Sequence, residues 1–269
     1  MSKTELVFNQ YPKPIQMLVD SYIMVKRSSK HILRNTDQLF GTFFQPIMFL
    51  VLFTAVFGGA VAQALPQGVS YINFLMAGIL IQTVAFGSST TAVAITNDLK
   101  RGIVDRFKSL PMSNLAVLNG HVVSDLFRNL FSTAVLLTAG FVIGFRSSAS
   151  ALDWLMIIGL VLLFTFAISW LVSIVGVYAK SVESVNLLTF LIIFPLTFAS
   201  SAFVPAESMT PILRGFAENQ PITHIVEAIR SLMIGTPMDE HGYLAVIWCV
   251  GILLVAMPLA AYLFKNKSV

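Results

Sequence analysis

Six stretches of the chain hold almost nothing but apolar side chains, and polar segments separate them. They cover residues 39–63, 71–96, 117–145, 152–179, 185–203 and 243–264. A helix rises about 1.5 Å per residue, so roughly 20 apolar residues carry it across the hydrocarbon of a bilayer. Most of the six meet that length, and 185–203 is the shortest. Pro46, Pro195 and Pro258 fall in or near these runs. Prolines do not veto a spanning helix, because neighbouring groups re-satisfy the carbonyls that a proline frees. The pattern therefore predicts an all-α membrane protein with six transmembrane helices.

The first 38 residues follow a different rule. After Pro14, the apolar residues Ile15, Leu18, Val19, Tyr22, Ile23 and Val25 recur at helical spacing, while Asp20, Lys26, Arg27, Lys30 and Arg34 lie mostly off that stripe. One apolar face and one basic face predict an amphipathic helix lying along the membrane surface. No apolar core of a cleavable signal precedes it. The expected organisation is a cytoplasmic segment over 1–38 carrying this interfacial helix, then a six-helix transmembrane domain over 39–269.

Composition agrees. The 269 residues are 56% hydrophobic and 11% charged, with a mean hydropathy of +0.81. A soluble globular chain carries about 25% charged residues, and one this apolar would expose patches that drive association. The net charge of +4 is not a nucleic-acid footprint, because the basic residues flank the apolar runs. They set orientation instead. Lys3, Lys13, Lys26, Arg27, Lys30 and Arg34 precede the first run. Lys100, Arg101, Arg106 and Lys108 lie between the second and third, Lys180 follows the fourth, and Lys265 and Lys267 close the chain. Only Arg146, Arg214 and Arg230 fall on the other side. Both termini are expected in the cytoplasm. Cys249 is the single cysteine, so no intrachain disulfide forms.

Chemistry is sparse. The chain has no GxxxxGK[ST] phosphate loop, no HExxH and no GxSxG elbow. His31, His121, His224 and His241 are far apart in sequence and lack paired cysteines, so no metal site and no catalytic residue is expected. Asp125 and Arg128, near the cytoplasmic start of the third run, are spaced to pair. Secondary transporters place ionisable groups near the midplane to couple ions. With almost none here, the energy source is expected on a partner.

Two polar stretches are informative. In residues 97–111, Asn97 or Asp98 is placed to cap a helix start, and Leu99, Ile103, Phe107 and Leu110 share one face. Asp98 with Arg101, and Arg101 with Asp105, are placed to pair, and Pro111 stops the helix. This predicts a short amphipathic cytoplasmic helix, either a plain connector or a docking ridge for a partner. The outer loop 204–242 is long and apolar, broken by Pro205, Pro211 and Pro221. Residues 212–219 and 223–234 read as two short helices, the second with Thr223 as N-cap and Glu227 paired to Arg230. They either dip into the outer leaflet over an exit path or form a plain cap.

The run NDLKRGIVDRFKSLPMSNLAVLNG at 97–120 resembles the charged-RG-x-x-(E/D)-R-x-x-x-x-P segment of ABC type-2 exporter permeases. FPLTFASSAFVPAESM followed by NQPITHIVEAIRSLMIG, within 194–235, is similar to the fifth span and outer hairpin of the daunorubicin-resistance-type branch, as is QPIMFLVLFTAVFGGAV in the first run. The sequence departs from the family pattern where Asn97-Asp98 precedes Lys100 and Ile103 stands in place of threonine. The resemblance implies a half-transporter that dimerises with a second copy and works with a separate ATPase subunit holding ATP and Mg²⁺. No cofactor is implied on this chain. It also implies a coupling role for Asp98, Arg101, Gly102, Ile103, Asp105, Arg106, Phe107, Leu110 and Pro111. Phe203, Pro205, Pro221, Thr223, Glu227 and Arg230 would belong to an outer re-entrant hairpin. The setting implied is a bacterial or archaeal plasma membrane.

A hydrophobic or amphipathic cargo, drug or lipid-like, suits a path this poor in charge. Export of polysaccharide or glycolipid precursors is the alternative. An ATP-independent transporter and an intramembrane lipid enzyme are disfavoured, because neither midplane charges nor clustered His, Asp or Glu are evident.

Overall fold

The computed structural model describes residues 36–61, 65, 68–102 and 114–267. The expected interfacial helix after Pro14 lies outside them. Among the described residues nine α-helices follow in order: α1 (Thr36–Val61), α2 (Tyr71–Gly87), α3 (Ser89–Lys100), α4 (Asn114–Ile143), α5 (Ala151–Tyr178), α6 (Val182–Phe198), α7 (Pro211–Asn219), α8 (Pro221–Ile234) and α9 (Asp239–Asn266). A 3-10 turn, Ala206–Ser208, precedes α7. Among the described residues there is no strand.

Among the described residues, five helical segments are long and apolar enough to cross a membrane: Phe44–Val61, Tyr71–Lys100, Val117–Ile143, Ala151–Tyr178 and Asp239–Asn266. The expected fifth run behaves differently. Of 185–203, the helical part ends at Phe198, three residues after Pro195, and α6 has only 17 residues. At about 1.5 Å per residue it falls short of a hydrocarbon core about 30 Å thick. The second span is one 30-residue unit with a break at Ser88. There the Ser88 hydroxyl donates to the Val84 carbonyl at 2.9 Å and Thr90 to that of Gly87 at 3.0 Å, local bonds of the kind that bend helices.

Local chemistry sets the helix ends. Ser150 accepts from the Asp153 amide while the Asp153 carboxylate accepts from the Ser150 amide at 2.8 Å, a reciprocal cap on α5. Ser181 accepts from the Ser184 amide at 3.0 Å to start α6. Helices α7 and α8 instead begin on Pro211 and Pro221, whose fixed φ suits the first helical position.

Helix α2 is the hub. From Phe74 to Ala85 it is buried throughout, whichever way its side chains point, and it packs against α1, α4 and α8. Helix α9 runs along α5, and α3 crosses α5 as well. Close crossings use glycine: a Cβ on Gly78 would lie 1.9 Å from the Ala202 carbonyl oxygen, and one on Gly176 would lie 2.6 Å from that of Ala92. Small residues that let backbones touch are how helices associate where lipid removes the hydrophobic driving force. The outer surfaces are apolar, with Phe127, Phe131 and Val142 on α4 and Leu254, Val255 and Tyr262 on α9 exposed. Water is a poor solvent for such a surface and lipid a good one.

Candidate functional site

The C-terminal end of the second span holds the start of the predicted docking segment. Asn97 and Asp98 lie inside α3, one turn from its end at Lys100, so neither caps a helix start as the sequence suggested. Asp98 sits 3.0 Å from Nε2 of His121 on α4. Leu99, expected on the docking face, is instead buried in a cluster with Val117, Leu118, Val122, Trp170 and Phe264. Arg101 is exposed, and Gly102 turns the chain with φ +65°, in the left-handed region that favours glycine. Ile103, Asp105, Arg106, Phe107, Leu110 and Pro111 lie outside the described residues.

Behind that end is a buried polar knot. Arg128 donates to the Asp125 carboxylate on its own helix and to the Gly87 carbonyl on α2. Asp125 also accepts from the Ser169 hydroxyl of α5 at 2.5 Å, and Ser169 lies 3.3 Å from Ser88. Nearby, Thr96 donates to the Gly176 carbonyl at 2.7 Å. The expected Asp125–Arg128 pair is present, and the structure adds what spacing did not reveal: it fastens α4 to the break in the second span. The available signal was Thr165, Ser169 and Ser173, hydroxyls four residues apart on a helix that is otherwise almost wholly apolar.

The hairpin packs at the other end of the second span, where Tyr71 and Phe74 lie. Helix α8 is buried, whereas α7 exposes Ile212, Leu213 and Phe216. Arg230 is the anchor. It donates to the Phe74 carbonyl at 3.0 Å, to the Ser201 carbonyl at 2.7 Å and to Glu227, and it stacks 3.6 Å from the centre of the Phe74 ring. The expected Glu227–Arg230 pair is therefore present. Thr223 is not the N-cap of α8, since Gln220 holds that position and Pro221 follows as its first residue. The Thr223 hydroxyl instead accepts from the Ser201 amide at 3.2 Å. Pro205 supplies the carbonyl that closes the 3-10 turn. The Gln220 amide donates to the Leu196 and Ala199 carbonyls at 2.8 and 2.9 Å, tying the hairpin to the end of α6. On exposed α7, the side-chain bond from Arg214 to Glu218 raises the guanidinium's pKa above its ordinary value.

Phe203 joins the two halves of an aromatic ladder. Phe57, Phe53 and Phe203 follow one another at centroid distances of 5.2 and 4.9 Å. From Phe203 the series continues through Phe198, Phe194 and Phe190 at 4.8, 4.3 and 4.9 Å. Phe190, Phe194 and Phe198 recur at helical i,i+4 spacing on α6, and Phe190 and Phe194 are exposed. The Tyr71 hydroxyl holds the Phe203 carbonyl at 3.1 Å. The sequence reading placed Phe203 in the hairpin and missed the ladder, although the four-residue spacing was visible.

Comparison with known proteins gives one consistent result. A family model described as ABC-2 type transporter matches residues 20–234. The chain is 30% identical over 231 residues to a daunorubicin resistance ABC transporter permease protein of Streptomyces coeruleorubidus, covering 86% of this chain and 81% of that one. It is 28% identical over 233 residues to a probable doxorubicin resistance ABC transporter permease protein of Mycobacterium tuberculosis, with 84% and 82% covered. An inner membrane transport permease of Escherichia coli is 21% identical over 225 residues, with 81% and 86% covered. With its apolar spanning helices and a match over most of its length, the chain belongs to the ABC-2 type transporter family.

Proposed function

We propose that this chain is the permease of an ATP-driven exporter for lipophilic, partly aromatic drugs, and that the ladder from Phe57 to Phe190 is the face its cargo follows. The ladder is the observation that carries the cargo class: consecutive rings at 4.3–5.2 Å, with Phe190 and Phe194 facing outward. Offset and tilted ring contacts at such distances contribute about 0.5–1.5 kcal/mol each beyond area burial. A flat aromatic cargo exchanges one such contact for the next without large barriers. The drug-resistance names of the Streptomyces and Mycobacterium relatives agree with that class.

In this reading the chain crosses the membrane six times with both termini in the cytoplasm. The sixth crossing combines α6 with the turns of 199–204 that carry it on to the hairpin. Two copies enclose the path, each working with a separate ATPase subunit that holds ATP and Mg²⁺ and performs the hydrolysis. Residues 98–111 form the element that receives the ATPase stroke. Arg128, fastened to Gly87, passes displacement of the α3 end into the break of the second span. The hairpin α7–α8 covers the exit, with the apolar side of α7 in the outer leaflet.

Co-purification with the cognate ATPase in nanodiscs tests the docking role. Arg106→Ala and Phe107→Ala are expected to weaken the complex and to uncouple ATP hydrolysis from cargo. A complex retained in full, with cargo-stimulated hydrolysis undiminished, would overturn it.

A further inference from the structure

His224 on α8 and His241 in the first turns of α9 face each other with Nδ1 to Nδ1 at 3.0 Å. Their ring centroids are 5.2 Å apart, only 2.2 Å more than the nitrogens. That difference is about one ring radius at each end, so the two rings meet nearly nose to nose. His224 is buried and His241 half-buried.

End-on geometry decides what the pair holds. A zinc ion lies about 2.0–2.1 Å from each imidazole nitrogen and holds its ligands at the tetrahedral angle, which would set the two nitrogens about 3.3 Å apart with the rings splayed rather than end-on. At 3.0 Å there is room for a proton only, shared as N–H···N. Among the described residues no group of three His, Cys, Asp or Glu side chains gathers to complete a metal site. A neutral histidine donates from one nitrogen and accepts at the other, so the bond requires one ring with Nδ1 protonated and one with Nδ1 bare. A second proton makes both nitrogens donors and turns the contact repulsive.

We propose that the His224–His241 pair is a single-proton site that clasps the outer hairpin to the start of the last span and releases it when a second proton binds. Of the surrounding charges, Glu240 is the one that pulls on this site. On α9, Asp239 and Glu240 immediately precede His241, and the Tyr243 hydroxyl donates to Glu240 at 3.5 Å. On α8, Glu227 is held by Arg230. Asp153, at the start of α5, is held by Ser150, Tyr71 on α2 donates to Phe203, and Glu218 on α7 is paired with Arg214. Burial, then His241, pushes the His224 pKa below its ordinary 6.5, against a weaker upward pull from Glu240. A base with a depressed folded pKa stabilises the fold above the ordinary histidine value. That stability is lost as the pH falls from about 6.5 through the lower folded value. The clasp stands on the α8–α9 contact alone. That its release opens the exit to an acidic exterior rests on the permease reading.

The test uses the full chain, histidine labelled with ¹⁵N, in lipid nanodiscs. At pH 7.5 a through-bond coupling between the two Nδ1 atoms is expected, and it disappears by pH 5. In parallel, moving from pH 7.5 to 5.5 lowers Tm about 2–4 °C more in the wild type than in the His224→Gln/His241→Gln double variant. Absence of the coupling in folded wild-type protein at pH 7.5, or an equal fall of Tm in both proteins, overturns the proposal. So does a Zn²⁺-dependent rise of Tm that only the wild type shows, which would make the pair a metal site. No transport is measured, so failure here leaves the permease reading standing, and failure of that reading leaves the clasp.

Discussion

Arg128 on α4 grips the carbonyl of Gly87, the last residue of α2, while holding Asp125 one turn back on its own helix. A guanidinium that is itself buried thus closes the break at Ser88 in the second span, the most buried of the spans among the described residues.

Removing one partner of this pair is expected to be far worse than removing both. Arg128→Ala leaves the Asp125 carboxylate, 0% exposed, without its counter-charge, a change that costs about 3–5 kcal/mol. Asp125→Asn combined with Arg128→Met should cost clearly less than Arg128→Ala. Thermal unfolding in nanodiscs checks this, and a double variant as damaged as the single one would show that the charge balance is not what matters.

Close packing gives a second comparison. Gly78→Ala and Gly176→Ala push a methyl into the backbone of Ala202 and of Ala92. Overpacking costs typically about 1–3 kcal/mol and sometimes more, and both variants should lower Tm and yield. Gly159→Ala and Gly251→Ala meet nothing within 4 Å and should leave Tm unchanged. Equal behaviour of the two sets would contradict the crossings described.

The ladder predicts selectivity rather than folding. Phe194 is 38% exposed and leucine keeps most of its apolar bulk, so Phe194→Leu should still fold, with only a modest loss of Tm from its contacts with Phe190 and Phe198. Loss of one stacking contact, about 0.5–1.5 kcal/mol, should weaken apparent affinity for a planar aromatic drug by roughly 2–10-fold and leave an aliphatic amphiphile untouched. Drug-stimulated ATPase titrations on the reconstituted complex report this. A uniform change across both cargoes would argue against stacking.

Arg230 predicts a failure of conservative replacement. Its Nε and Nη2 reach the Phe74 and Ser201 carbonyls in different directions, which the single ammonium of lysine cannot reproduce. Arg230→Lys should therefore lose about 1–3 kcal/mol and open the hairpin to protease at the 236–238 turn. An unchanged digestion pattern would count against the anchor.

Membrane residence and the runs themselves were legible because the need for about 20 apolar residues is a one-dimensional rule. The Asp125–Arg128 and Glu227–Arg230 pairs were legible for the same reason, since i,i+3 spacing is local. The exact form of the fifth run was not. Its composition is apolar to Phe203, yet the helix yields shortly after Pro195 and its last carbonyls go to Gln220, twenty-odd residues away. Thr223 looked like a cap because threonine often is one, but Pro221 had already opened the helix and the hydroxyl was taken by Ser201. Leu99 was assigned to an open face by periodicity, which cannot show that α4, α5 and α9 cover it. His224 and His241, 17 positions apart, met only through the packing of α8 on α9.

The way Arg230 is held also bears on how the chain is made. Synthesis proceeds from the N-terminus, so the carbonyls of Phe74 and Ser201 have both left the ribosome before the guanidinium that needs them. A nascent chain truncated between α6 and α8 carries its acceptors but no donor, and one lacking α2 strands a cation at the bilayer edge. The seating of α8 therefore waits until residue 230 has been made, and quality-control proteases should discriminate chains before and after that step.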